Sequence, residues 1–285
     1  MSILIFGKNG QLARALKRSL TARGQVHSCH GKDEFNLLTE TRNIAGFIRH
    51  HAPKAVINAS GFTNVDGAEQ READANRLNA KAPGMMALAC KAANIPFIHV
   101  STDYVFDGAK SGLYDPADKR APLNAYGRSK AAGERAVIAA DGRSVILRTS
   151  WVYDAEGKNF FTTMLHLAKT ETQLNLVSTQ FGRPTYAGHL AEACLAALEG
   201  IPSKPMIHHV SNSGPVISWA DFAEAIFKRA KIVPDIERVG EAHFPRPAKR
   251  PVNSALDISA FERDFNYLLE PWQTGLELAF QDMER

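Results

Sequence analysis

Short apolar runs alternate along this chain with longer segments in which apolar positions recur every three or four residues. That alternation predicts strands near Ile3–Phe6, Val26–Ser28, Ala55–Asn58, Phe97–Val100, Val145–Arg148, Leu174–Val177 and Ile207–Val210. Between them the helical period predicts helices near Gln11–Ala22, Ile44–His51, Ala73–Ala93, Tyr126–Ala140, Phe160–Ala168 and His189–Leu198, with two more at Trp219–Ala230 and Pro271–Met283. The strand segments lack strict polar alternation, as expected where helices cover both faces of a sheet. Right-handed crossovers then give an α/β fold built on a doubly wound parallel, Rossmann-type sheet.

The organisation changes after Trp151. Beyond it, Gly182–Thr185, Pro202–Pro205 and His243–Pro251 are rich in proline, glycine and basic residues, so the second half reads as a smaller, loop-rich lobe. The division expected is residues 1–150 for dinucleotide binding and 151–285 mainly for substrate binding, with some segments returning to the first domain.

Composition narrows the classes. Of 285 residues 45% are hydrophobic and 22% charged, an ordinary globular balance without a membrane-length apolar run. The opening MSILIFG meets a glycine loop at once, the profile of a buried first strand and not of a secretory leader. Cys29, Cys90 and Cys194 are widely spaced and form no CxxC pair, which argues against a disulfide framework or zinc site and fits a cytoplasmic protein. A net charge of +4 is too small and too evenly spread to indicate nucleic-acid binding.

The candidate chemistry begins where the first strand runs into Gly7-Lys8-Asn9-Gly10-Gln11-Leu12-Ala13. Gly7 permits a sharp turn, Gly10 lets backbone N–H groups approach a pyrophosphate, and the helix start adds partial positive charge. The spacing is GxxG instead of GxG, and Ala13 stands where a third glycine is usual. An acid for the adenosine ribose is expected near the end of the second strand, and Asp33-Glu34-Phe35-Asn36-Leu37 leave its identity open.

Tyr126 and Lys130 are four residues apart and share one helix face. A phenol with a pKa of about 10 is a poor acid–base catalyst at neutral pH, and an adjacent ammonium would lower that value. Thr102 lies just past the fourth predicted strand, at the sheet edge where ligands of doubly wound folds bind, and its hydroxyl completes a reductase triad with Tyr126 and Lys130.

GKNGQLA, NASGFTNVDGAE, STDYVFDG, NAYGRSK, RTSWVY, QFGRPT and RPVNSAL occur in the order found in dTDP-4-dehydrorhamnose reductases, and the chain resembles that family of extended short-chain dehydrogenases/reductases over nearly its whole length. The resemblance implies reduction of the 4-keto group of dTDP-4-dehydro-6-deoxy-L-mannose (dTDP-4-dehydro-L-rhamnose) to dTDP-L-rhamnose, the last step of dTDP-rhamnose biosynthesis. It implies Tyr126 as proton donor, Lys130 as its partner and ribose anchor, and Thr102 as the tuning hydroxyl. Gly7, Gly10, Gln11 and Leu12 would face the cofactor pyrophosphate, Asn36 and Leu37 the adenosine end, and Ala59, Ser60 and Gly61 the middle of the cofactor. Asp103 and Trp151 would line the sugar pocket beside Thr102, with plain capping and core packing as their alternatives.

The family's frequent aspartate falls on Asn36, which favours NADPH, with NADH also usable. Arg183, Lys249 and Arg250 lie in loops, either to clamp a diphosphate or as solvated charge. The first-helix position that is acidic in metal-bridged dimers falls on Ala15, so no metal is expected, and the chain is read as a monomer or homodimer. Nucleotide-sugar dehydratases carry Thr-Asp-Glu where this sequence has Asp103 followed by Tyr104, which counts against water elimination. Another nucleotide-sugar reductase or epimerase, or a non-catalytic dinucleotide-binding regulatory subunit like that of methionine adenosyltransferase, remain the alternatives.

Overall fold

In the computed structural model, which describes residues 2–284, Ile3–Phe6 (β1) is buried at every position, as four consecutive large apolar side chains require. His27–His30 (β2), Ala55–Asn58 (β3), Phe97–Thr102 (β4), Ser144–Thr149 (β5) and Met206–His209 (β7) join it in a six-stranded sheet, and Gln173–Val177 (β6) lies outside it. The strand order is β7-β5-β4-β3-β1-β2, and every neighbouring pair is parallel. The chain moves outward from β1 to β2 and then returns past β1 to β3. This reversal opens a crevice beyond the carboxyl ends of β1 and β3.

Helices cover both faces. On one, Gln11–Ala22 (α1) and Ala187–Glu199 (α6) bury Leu16, Leu20, Leu190 and Cys194 against Ile5, Ile57 and Leu147. Ala15 is buried in that same layer. On the other, Ile44–His51 (α2), Ala82–Ala92 (α3) and Ala125–Ala140 (α4) bury Ile44, Ile48, Met86 and Val137 against Leu4, Phe6 and Val56.

A third apolar cluster is formed by Phe160–Thr170 (α5), Trp219–Ala230 (α7) and Trp272–Met283 (α9), which pack Phe161, Phe222, Ile226 and Phe280 over Leu174 and Leu176 of β6. The chain enters this cluster after Trp151, goes back to the large sheet with α6 and β7, and leaves again. Ser259–Phe265 (α8) returns once more, burying Phe261 under the first layer. The ends of the expected 1–150 and 151–285 division, Met1 and Arg285, lie outside the described residues.

Three expectations need correction. The segment near Leu174–Val177 is a strand, but it pairs in parallel with Asp235–Val239 (β8) in a separate two-stranded sheet. β8 escapes the periodicity because DIERV is mostly exposed and charged. The second strand is His27–His30 and not Val26–Ser28; it is an edge strand, half-buried throughout, and Val26 is 68% exposed. The continuous helix expected over Ala73–Ala93 is interrupted by a π turn at Arg77–Lys81. Pro83 has no N–H to give to the Asn79 carbonyl four residues back, so a regular α turn cannot close there.

Candidate active site

A cavity of about 610 Å³ occupies the crevice at the carboxyl edge of the sheet. Of the residues expected there, Gly10, Gln11, Leu12, Ala59, Ser60, Gly61, Thr102, Asp103, Tyr126, Lys130 and Trp151 line it. Gly7, Asn36 and Leu37 do not. Gly7 sits behind the loop at φ +115°, where a Cβ would come 3.1 Å from the Ala59 carbonyl, so it makes the turn and lets β1 and β3 close on each other. Leu37 belongs to the apolar core, and the Asn36 side chain accepts a hydrogen bond from the Leu38 backbone N–H at 3.0 Å.

Tyr126 is placed by the start of α4. Asn124 caps the helix, its Oδ1 accepting from the Gly127 N–H at 2.8 Å, while its Nδ2 donates to the Lys249 carbonyl at 2.7 Å. A Cβ at Gly127 would lie 2.2 Å from the Tyr104 carbonyl, so only glycine lets this turn press against the segment that follows β4. That contact sets the Tyr126 ring edge-on to Tyr104, centroids 5.6 Å apart, on the cavity that Thr102 also lines. Thr102 itself donates to Asp103 Oδ1 at 2.8 Å and accepts from the Tyr104 N–H at 3.2 Å.

Burial pushes the Tyr126 phenol up to about 12, against the opposing effect of Thr102, and Asp103 raises it further. The expected lowering by a neighbouring ammonium is absent. Lys130 donates to the Val100 carbonyl at 2.6 Å and is not among the groups acting on Tyr126. Burial brings Lys130 down to about 8, with Glu134 opposing. At neutral pH the site therefore holds a protonated phenol beside an ammonium. Asp103, wholly buried, is raised to about 7 by desolvation.

Behind these groups lies a buried ionic network that the sequence reading missed. Glu134, one turn beyond Lys130, receives Arg148 through Nε and Nη2 at 2.8 Å each, Arg120 at 3.0 Å and the Ser101 hydroxyl at 2.6 Å. Glu134 and Arg148 are 0% and 1% exposed. Its signal was available, because Glu134 follows Tyr126 and Lys130 at helical spacing on one face.

Asn79, carried on the π turn, was also missed. It pins the loop after β3, donating to the Phe62 carbonyl and accepting from the Phe62 N–H, and it donates to Ser129 of α4. Across the cavity Trp151 holds a left-handed backbone, φ +50°, and its ring stacks on Trp219 at 3.6 Å. Gln11 Oε1, Asp103 Oδ2 and Thr149 Oγ1 are buried polar atoms of this lining without a hydrogen-bond partner.

The three basic loop residues divide. Arg250 is half-buried and bound through both terminal nitrogens to Asp66, at 2.7 and 3.2 Å. Arg183 donates to the Leu256 carbonyl, and Lys249 is exposed; neither lines the cavity.

The sequence profile of the family described as RmlD substrate binding domain matches residues 1–285. The chain is 37% identical over 298 aligned positions to a dTDP-4-dehydrorhamnose reductase of Burkholderia thailandensis, covering 99% of each. It superposes on the crystal structure of a dTDP-4-dehydrorhamnose reductase from Clostridium acetobutylicum with a TM-score of 0.94, 31% identity and all of both chains covered. A Bacillus anthracis dTDP-4-dehydrorhamnose reductase solved in complex with NADP gives 0.92 at 31% identity, with 99% of both covered. Among the described residues no helix is long and apolar enough to cross a membrane.

Proposed function

Since the chain belongs to the RmlD substrate-binding-domain family, we propose that it reduces the 4-keto group of dTDP-4-dehydro-L-rhamnose to give dTDP-L-rhamnose, the last step of dTDP-rhamnose biosynthesis, with NADPH as reductant. The observation that carries the assignment of residues is that Tyr126, Thr102 and Lys130 line one cavity together with the glycine loop.

The residues fit a dinucleotide. A Cβ on Gly10 would meet nothing within 4 Å, so the start of α1 opens its backbone toward the cavity, and the unpartnered Gln11 Oε1 lies beside it. Gly10, Gln11 and Leu12 would hold the pyrophosphate, Ala59, Ser60 and Gly61 the centre of the molecule, and Lys130 the nicotinamide ribose. When bound, the nicotinamide supplies the hydride to the carbonyl carbon.

The chain's own groups manage the proton. Tyr126 is held neutral by burial, which suits it to give its hydrogen to the ketone oxygen as negative charge develops there. Thr102 orients the phenol, and Asp103 Oδ1 fixes the Thr102 hydroxyl. The Lys130 ammonium, one turn along the same helix, offsets the charge left on the phenolate. Trp151 and Trp219 shield the site and give the sugar a flat apolar wall. The elements of the third apolar cluster, α5, α7 and α9, serve in this reading as the substrate-binding lobe.

The purified protein should consume NADPH only when the keto-sugar nucleotide is present, and an absence of consumption would reject the assignment. Tyr126→Phe should slow turnover by roughly two to four orders of magnitude while NADPH still binds. Turnover equal to wild type would remove Tyr126 from the mechanism.

A further inference from the structure

On α4 the residues Tyr126, Lys130 and Glu134 follow one another at four-residue spacing, so a phenol, an amine and a carboxylate share one helix face. The end of β4 lies against that face. The Val100 carbonyl accepts from Lys130 Nζ at 2.6 Å, the Ser101 hydroxyl donates to Glu134 Oε1 at 2.6 Å, and Thr102 lines the cavity with Tyr126. Glu134 thus grips the strand between the acceptor of Lys130 and the threonine of the cavity.

The carboxylate has no acceptor capacity to spare. Oε1 also takes Arg148 Nε at 2.8 Å, and Oε2 takes Arg148 Nη2 at 2.8 Å and Arg120 Nη1 at 3.0 Å. Arg148 reaches on to the Pro116 carbonyl at 3.0 Å and to His209 Nε2 at 3.3 Å, and His209 Nδ1 lies 3.0 Å from the Tyr114 carbonyl. One buried acid therefore ties together β4, β5, β7 and the segment 114–120 that precedes α4. Apolar side chains of similar volume would stabilise a fold as well as such a pair does, or better. They would not provide a negative charge one turn from Lys130.

We propose that Glu134 is a positioning residue for the reduction: it fixes the end of β4 against α4 and supplies the counter-charge of the Lys130 ammonium. The role rests on the reading of Lys130 as the cation beside the phenolate. No other ionisable group nearby supplies that charge. His99 of β4 is kept neutral by burial, and Tyr126 stays protonated. Desolvation raises Asp103, at the end of β4, to about 7. Arg148 of β5 and Arg120 are cations bound to Glu134, and burial keeps His209 of β7 neutral. Glu69 and Glu72, from the helices packed on α4, are paired with Arg128. Burial draws Lys130 toward the neutral amine and Glu134 opposes it, so the amine gains once that carboxylate is gone.

The charge on Lys130 can be read in the full chain by NMR titration of carbon-13-labelled lysine, with Lys130→Met assigning the signal. Wild type should titrate at about pH 8. Glu134→Gln should move the midpoint down by about 0.5–2 units, and Glu134→Asp, which keeps the charge, should return it toward the wild-type value. Where Glu134→Gln does not fold, Glu134→Leu combined with Arg148→Met repeats the test, because it fills the interior and leaves that pair without an uncompensated charge. In turnover the alkaline limb of kcat/KM should fall with the same midpoint. At neutral pH the kcat of Glu134→Gln should drop roughly threefold to thirtyfold, with KM for the keto-sugar nucleotide within about twofold of wild type.

A merely structural role predicts the opposite sign, since loosening that admits water carries a buried lysine up toward its value in solution. A midpoint at or above that of wild type in the folded variants would therefore overturn the assignment. So would an alkaline limb that stays in place while the NMR midpoint falls. A lowered midpoint, restored by aspartate, supports Glu134 as the counter-charge even where the keto-sugar nucleotide drives no NADPH oxidation, an outcome that would reject the proposed reaction alone.

Discussion

The two walls of the main cleft are built on different principles. Thr102, Tyr126 and Lys130 come from the end of β4 and the first turns of α4, and their backing is the Glu134–Arg148 pair, which is almost wholly removed from solvent. Thr102 is held there by two hydrogen bonds and Lys130 by one. Trp151 and Trp219 face them from a loop after β5 and from the first residue of α7, held by ring stacking at 3.6 Å. Proton transfer demands placement within hydrogen-bond reach, and buried ionic contacts give that placement. Shape recognition tolerates some movement, and stacked rings allow it.

The largest test of this contrast is Glu134→Gln. It leaves Arg148 and Arg120 facing a neutral amide in a dry interior and should cost about 3–5 kcal/mol in urea unfolding. A loss below about 1 kcal/mol would mean that the network does not hold the wall of Thr102, Tyr126 and Lys130.

Asp103→Asn is next. Asp103 has a folded value of about 7 against an unfolded value near 3.8, so between these the native state binds more protons than the unfolded chain. Wild type should therefore lose stability relative to the variant as pH rises from about 4 to about 7, on the order of 3–4 kcal/mol, read as the difference between two unfolding series. A difference that does not vary with pH would show that Asp103 is ionised throughout that range.

The smallest effect belongs to the wall of stacked indoles. Trp219→Ala should raise KM for the keto-sugar nucleotide roughly threefold to tenfold, with kcat nearly unchanged, because it removes stacking that ground state and transition state share. A kcat falling as far as KM rises would place Trp219 with Tyr126 and Lys130 and erase the distinction.

That Thr102, Tyr126 and Lys130 share one wall was legible in the sequence because they sit on regular elements. Tyr126 and Lys130 keep helical spacing, and Thr102 ends an apolar run. The glycine loop was legible for the same reason, directly after a fully buried strand. Less was readable where tertiary packing overrode local pattern. Nothing in the run from Ala73 to Ala93 announces that Asn79 turns inward on a π turn to grip the loop at Phe62, although Pro83 carries the cause. β8 was invisible because one face of a two-stranded sheet is wet and its residues are charged.

Pairing across long separations was hidden too. The Arg250–Asp66 bond joins residues 184 positions apart, and the stacking of Trp151 on Trp219 depends on α7 folding back across the cleft. The acidity of Tyr126 was misjudged for a related reason: spacing reveals that a lysine is near, but not that its ammonium is engaged by the Val100 carbonyl.

The left-handed backbone of Trp151 bears on how this pocket can be redesigned. At φ +50° any side chain with a Cβ carries an energetic penalty on the order of 1 kcal/mol, which the indole offsets by covering its neighbour. Glycine would relax the chain and delete the surface; every other replacement inherits the twist without the ring. Enlarging the pocket for bulkier sugars is therefore better begun at position 219, where an ordinary helical backbone imposes no such toll.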